Sequence, residues 1–251
     1  GEREVLDMLR LRMMRAPQKY VQGKDSLLQF HKEMTSLGDK WLFICSRSGY
    51  KMAHDKIEKS FEGTSDVRQY EIFGGVSSTG EIEKMREIVR ENHLNVVVGV
   101  GGGSAIDTAK ATAHYEKLPV VIVPTVVATD APCTGLSVIY NDDETFNSYL
   151  FYPKNPEAVI VDSAIIANAP VRFLVAGMGD ALGTYFEARA CERTDAPSLE
   201  SGGITQSAMA LCRLCYNTLK EYGASAKKAC ECHVVTPALE AIIEANVYLS
   251  G

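Results

Sequence analysis

A run of β-branched residues that breaks into glycines constrains this chain more than any other stretch. It reads Val96-Val97-Val98-Gly99-Val100-Gly101-Gly102-Gly103-Ser104-Ala105-Ile106-Asp107-Thr108-Ala109-Lys110. Val96 to Val100 is too short for a helix and too apolar for a strand with one wet face, so it reads as a buried strand of a mainly parallel sheet. A helix opens after the glycines, with Ser104 expected as its N-cap and Asp107 as the partner of a capping box. Such a turn sets bare backbone N–H groups beside the positive end of a helix dipole, which suits phosphate. The same residues also fit a strand-to-helix turn that holds no ligand.

On either side, short apolar runs alternate with amphipathic stretches. Lys19-Tyr20-Val21, Trp41 to Cys45, Val67 to Phe73 and Leu118 to Pro124 read as strands. Ser26 to Leu37 is expected as a helix on the spacing of Leu27, Phe30, Met34 and Leu37; further helices follow Ser46-Arg47-Ser48-Gly49 and span Thr79 to Glu91. Strands alternating with helices imply βαβ units and a parallel sheet covered on both faces. Ser137 to Tyr140 and Tyr149 to Tyr152 flank Asn141-Asp142-Asp143-Glu144 as a β-hairpin on the sheet's margin, and Ala158 to Asp162 is a last parallel strand. After Pro170 the patterns are helical: Phe173 to Ala190, Ile204 to Tyr222 and Pro237 to Leu249. The expected architecture is an α/β domain with a parallel, Rossmann-like sheet over residues 16–163, then an all-helical domain over 164–251. Residues 1–15 read as a charged amphipathic extension whose acids Glu2, Glu4 and Asp7 are unlike an organelle-targeting peptide.

Bulk properties exclude some classes. The net charge of -6 argues against sequence-independent nucleic-acid binding, which needs a basic face. No apolar run approaches the length of a membrane span. Seven cysteines without a secretory signal point to reduced thiols and a cytoplasmic protein.

The glycine turn departs from the common dinucleotide fingerprint. G-x-G-x-x-G needs Gly or Ala where Ser104 stands, belongs in the first βα turn and expects an acid about twenty residues on. A Walker A loop is excluded because no Gly-Lys-Ser/Thr follows. Asp130, in the threonine-rich loop Thr125 to Thr134, either accepts hydrogen bonds from substrate hydroxyls or simply starts a turn before Ala131-Pro132. Asp180, in Gly177-Met178-Gly179-Asp180, either meets a ligand or caps a helix. Cys212-Arg213-Leu214-Cys215 with Cys230-Glu231-Cys232-His233 has zinc-like spacing, but the first pair falls on the apolar face of a helical pattern, where cysteine acts as a small hydrophobe.

Several separated motifs then carry a resemblance. Gly101-Gly102-Gly103-Ser104-x-x-Asp107-x-x-Lys110, Pro124-Thr125, Thr129-Asp130-Ala131-Pro132-Cys133 and Leu136-Ser137-Val138-Ile139-Tyr140 come first. Asn155-Pro156, Gly177-Met178-Gly179-Asp180-Ala181-Leu182, Phe186-Glu187-Ala188-Arg189-Ala190-Cys191 and His233 to Glu240 follow in order. Together, from about Ala16 to Gly251, the chain resembles the glycerol dehydrogenases of the iron-containing (metal-dependent) alcohol dehydrogenase superfamily. The resemblance implies NAD-dependent oxidation of glycerol to dihydroxyacetone by metal-assisted hydride transfer, in a cleft between the two domains of a homo-oligomer. By that resemblance Gly102, Gly103, Ser104, Ala105, Ile106 and Asp107 would cradle the pyrophosphate. Thr125, Ala128, Thr134, Leu136 and Tyr140 would line the nicotinamide side. Asp130 would hold a hydroxyl of the small polyol substrate as the catalytic residue, and Asp180 would be the first ligand of a zinc ion.

Two departures modify this expectation. Ser46-Arg47 stands where the family commonly has an acid for the adenosine ribose, so NADP is expected alongside NAD. The family's two zinc histidines lie beyond Gly251, and His31, His54, His93, His114 and His233 fall outside the corresponding motifs. The chain is therefore expected to be a C-terminally truncated dehydrogenase with weak or absent turnover. A non-catalytic nucleotide-binding protein of the same fold is the alternative. A dehydroquinate synthase-like lyase is a further one, though the Thr129-Asp130-Ala131-Pro132 loop offers no basic site for its carboxylate.

Overall fold

The computed structural model describes residues 16–194 and 206–249, so the expected helical extension over 1–15 lies outside it. The strands are β1 (Lys19–Gly23), β2 (Lys40–Cys45), β3 (Val67–Ile72), β4 (Val96–Gly101), β5 (Val120–Pro124), β6 (Leu136–Tyr140), β7 (Phe146–Phe151) and β8 (Ala158–Asp162). The α-helices are α1 (Phe30–Met34), α2 (Arg47–Ser60), α3 (Thr79–Asn92), α4 (Gly103–Glu116), α5 (Ser163–Asn168), α6 (Val171–Thr194), α7 (Gln206–Glu231) and α8 (Pro237–Glu244). Six strands form one sheet in the order β1-β8-β5-β4-β2-β3, with parallel pairing throughout. The parallel α/β sheet followed by a helical segment is the architecture expected from the sequence.

The sheet is covered on both faces because its central strands alternate two apolar sets. Trp41, Phe43, Val96, Val98, Val100, Val121, Val123 and Ile160 point to one side, onto Ala53 and Ile57 of α2 and onto Leu27 and Phe30. Leu42, Ile44, Val97, Ile122, Val159 and Val161 point to the other, onto Ile106 and Ala109 of α4. That second core continues into Leu174, Cys215, Leu219, Leu239 and Ile242 of the helices after β8. Each such apolar side chain, once buried, stabilises the fold by about 1.5–3 kcal/mol relative to exposure. Gly99 lets α4 lie close, since a Cβ there would stand 2.7 Å from the Ala109 methyl.

The strand order also decides where a ligand can enter. From β2 the chain builds outward to β3; from β4 it builds the other way through β5, and α2 and α4 lie on opposite faces. The carboxyl ends of β2 and β4 therefore flank a topological switch point, the crevice where open α/β sheets bind ligands.

Several sequence expectations are corrected. The continuous helix over Ser26 to Leu37 is broken into a 3-10 turn Ser26–Gln29, the short α1 and a second 3-10 turn Thr35–Leu37. The Asp162 carboxylate holds its start in place, accepting from the backbone N–H of Asp25 (3.0 Å) and Leu27 (3.4 Å). The hairpin does not join the sheet margin. β6 and β7 form a separate two-stranded antiparallel sheet, and Tyr140 N–H donates to Ser77 O at 3.0 Å next to α3. β7 begins at Phe146, earlier than expected, because the turn closes through Asn141 N–H to Thr145 O at 2.8 Å. The helix expected over Pro237 to Leu249 is α8 followed by a π-helical turn, Ala245–Leu249.

Candidate active site

Two helix N-termini meet at the switch point. Ser46 directly follows β2, and its Oγ caps α2 by accepting from Gly49 N–H at 3.0 Å. Gly101, at φ 146, turns the backbone beside it; a Cβ there would stand 2.6 Å from Ser46 Oγ. The N-cap of α4 is Gly102, without a side-chain cap, so the expected capping box of Ser104 with Asp107 does not form. Asp107 instead accepts from Val138 N–H of β6 at 3.2 Å, a tertiary partner that outcompetes a local cap. Ser104 stands inside the first turn, and Gly103 faces open space. The first N–H groups of α4 are left to whatever occupies the cleft.

That cleft has a volume of about 530 Å³. Of the residues singled out in the sequence, Ser46, Gly102, Gly103, Ser104, Ala105, Thr125 and Ala128 line it. Ala169, Pro170, Arg172 and Phe173, which carry no site signal in the sequence, line it too. Among the described residues, no carboxylate lines the cleft. Ile106 is buried in the core beneath the turn, while Tyr140 lies on the hairpin.

Thr134 and Leu136 are gathered behind the turn by Lys110. This lysine is 2% exposed. Its Nζ donates to Ala131 O, to Thr134 Oγ1 (3.3 Å) and to Leu136 O (3.2 Å). Burial pulls the ammonium down to about 8, against the opposing pull of Asp107, Cys133 and Asp130. The sequence clue is a lysine set among Ala109, Ala111 and Ala113, all of them buried.

Asp130 precedes the 3-10 turn Ala131–Cys133 that Lys110 holds, and its side chain does not cap that turn. Desolvation and then the nearby Asp180 carboxylate push Asp130 up to about 6. Asp180 lies well inside α6, which removes the helix-cap reading of it. It is raised by burial, and the Asp130 backbone N–H beside it opposes that shift. Two contacts lock this approach. A Cβ at Gly177 would run into the Val127 carbonyl, and Asn246 Nδ2 donates both to that carbonyl (3.1 Å) and to Leu174 O (3.2 Å). Asn246 carried no signal in the sequence, since its partners are remote in the chain.

The dinucleotide and the metal meet different fits here. An open, acid-free cleft with an uncapped helix N-terminus suits a pyrophosphate. For a divalent ion, the described residues bring no group of three His, Cys, Asp or Glu side chains together, whereas a catalytic zinc takes three protein ligands. Asp180 by itself does not make such a site. Cys215 and Cys230 are buried, their thiols turned to the carbonyls of Ala245 (3.5 Å) and Ala169 (3.7 Å). Among the described residues, no helix is long and apolar enough to cross a membrane.

Comparison with known proteins agrees with this fold. The family described as iron-containing alcohol dehydrogenase matches residues 17–163. A glycerol dehydrogenase of Escherichia coli is 48% identical over 240 residues, covering 96% of this chain and 65% of that enzyme. The chain thus spans just under two thirds of that relative's length. The crystal structure of glycerol dehydrogenase from Schizosaccharomyces pombe superposes with a TM-score of 0.90 at 34% identity, covering 96% of this chain and 61% of that one. Sulfoacetaldehyde reductase from Bifidobacterium kashiwanohense, solved in complex with NAD+, shares the fold at a TM-score of 0.76 and 20% identity, over 96% of this chain and 66% of its own.

Proposed function

The chain belongs to the iron-containing alcohol dehydrogenase family, and from that premise we propose that it binds NAD for the oxidation of a small polyol, glycerol being the substrate its relatives' names point to. One observation carries the reading. An acid-free cleft receives the uncapped N-terminus of α4 at the switch point, and Asp130 follows two residues after the cleft-lining Ala128. The nicotinamide ring, when bound, supplies the hydride acceptor. Gly102 to Ala105 hold the pyrophosphate through backbone N–H groups, while Thr125 and Ala128 lie toward the nicotinamide at the end of β5. Asp130 accepts a hydrogen bond from a substrate hydroxyl, and Lys110 keeps the loop carrying it against α4. Ser46, uncharged at the ribose end, admits NADP as well as NAD. The protein works as a cytoplasmic homo-oligomer.

Calorimetric titration with NAD+ tests the binding half: saturable binding is expected, and its absence overturns the reading. A second reading, nucleotide binding without turnover, is favoured by Asp180 being unaccompanied by two further metal-type side chains among the described residues. Measuring NADH and dihydroxyacetone formation from glycerol with added zinc separates the two. Turnover supports the dehydrogenase; saturable NAD+ binding with no product supports the second reading.

A further inference from the structure

The cleft that holds the glycine turn is also lined by an arginine whose N–H donors no other described residue takes up. Arg172 stands in the first turn of α6, where Phe173 N–H donates to Pro170 O at 3.1 Å. Of the described residues lining the cleft, it alone bears a charge. Its guanidinium lies over the Phe173 ring, 4.7 Å from the centroid, and among the described residues it makes no ion pair and no hydrogen bond. A guanidinium resting over a ring face spends none of its N–H donors on that contact, which leaves them for a planar, two-point partner.

Charge balance says what that partner is. A diphosphate diester carries two negative charges, and a helix N-terminus offers roughly half a positive one. The remaining charge needs a cation. Lys110, on the same helix as the glycine turn, is committed behind it to Ala131, Thr134 and Leu136. On this basis, which rests on the dinucleotide reading of the cleft, we propose that Arg172 is a positioning residue that clamps the cofactor diphosphate held by Gly102–Ala105. The pyrophosphate is then bound by backbone N–H groups and a guanidinium together. The clamp also joins the start of α6, the helix that carries Asp180, to the nucleotide held by the sheet.

The test is calorimetric titration of the wild-type chain and of Arg172→Gln and Arg172→Lys with NAD+, ADP and NADP+, at low and at raised salt. A lost charge-assisted pair weakens NAD+ and ADP about tenfold or more in Arg172→Gln. Arg172→Lys recovers part of that loss, and the salt dependence of NAD+ affinity is shallower in Arg172→Gln than in wild type. Unchanged NAD+ affinity in Arg172→Gln overturns the clamp. So does an equal loss in Arg172→Lys, or a loss confined to NADP+, which would place the arginine on the 2′-phosphate. Wild-type protein that binds no NAD+ would instead sink the dinucleotide reading itself. Arg172 is exposed, so thermal melts of the three proteins are expected to coincide.

Discussion

Replacing Lys110 with methionine removes a buried ammonium while keeping a side chain of similar length. Two opposing costs set the outcome. The ammonium is held to about 8 in the folded chain against an ordinary 10.5, because burial disfavours its charged form. At about 1.4 kcal/mol for each pH unit, that charge costs folding on the order of 3 kcal/mol at neutral pH. Methionine escapes this cost but takes the ammonium's bond from Leu136 O, worth about 1–3 kcal/mol if left without a donor, and from Thr134 Oγ1, which keeps its own bond to Ala131 O. Near pH 7 the terms largely offset, and Lys110→Met changes stability by no more than about 2 kcal/mol. Between pH 8 and 10.5 they separate. The unfolded chain then holds the lysine proton while the folded chain has lost it, so this group's contribution to wild-type stability rises with pH. Methionine has no such slope. Urea unfolding of both proteins, under reducing conditions across that range, reads the difference directly. The cysteines and tyrosines that also titrate there cancel in the subtraction, apart from Cys133 beside Lys110, whose thiol burial holds well above the usual range. The wild-type advantage is expected to grow by about 3 kcal/mol from pH 8 to 10.5. A difference that stays flat would show that Lys110 is not buried as a charged group, and the account of the Asp130 loop would fall with it.

Two further substitutions probe the site's edges. Gly177→Ala drives a methyl group against the Val127 carbonyl and is expected to cost about 1–3 kcal/mol, read as a lowered Tm; an unchanged melt would mean that α6 does not pack on that loop as described. Ser46→Asp keeps a side-chain acceptor for the start of α2 while placing a carboxylate at the ribose end of the cleft. NADP+ affinity is expected to fall about tenfold or more relative to NAD+, as for other desolvated like-charge contacts, and an unaltered ratio would remove Ser46 from the adenosine site.

The elements that could be read in advance are those whose signal is local. Val96 to Val100 admits only a buried strand, since no one-sided strand or short helix accommodates that many β-branched residues in a row. The helices α2 and α3 begin at Ser46 and Ser78, whose hydroxyls accept from N–H groups three residues on. Local signal failed where a remote partner intervened. Asp107 sat at capping-box spacing, yet Val138 took its carboxylate. The stretch from Ser26 to Leu37 had helical periodicity, yet the carboxylate of Asp162 bent its start. Motif resemblance named Asp130 and Asp180 without placing them; the packing of Gly177 on Val127 brings their helix and loop together.

By itself, then, the sequence determined the alternation of strands and helices, the glycine turn at the end of β4 and the family these motifs belong to. Periodicity, β-branching and glycine content act over a few residues, and a chain carries them wherever it goes. Only the tertiary structure decided that Gly102 and not Ser104 starts α4, that Lys110 turns away from solvent to hold the Asp130 loop, and that Arg172 faces the cleft. Each of those outcomes depends on partners tens of residues apart, whose meeting is set by the order of strands in the sheet.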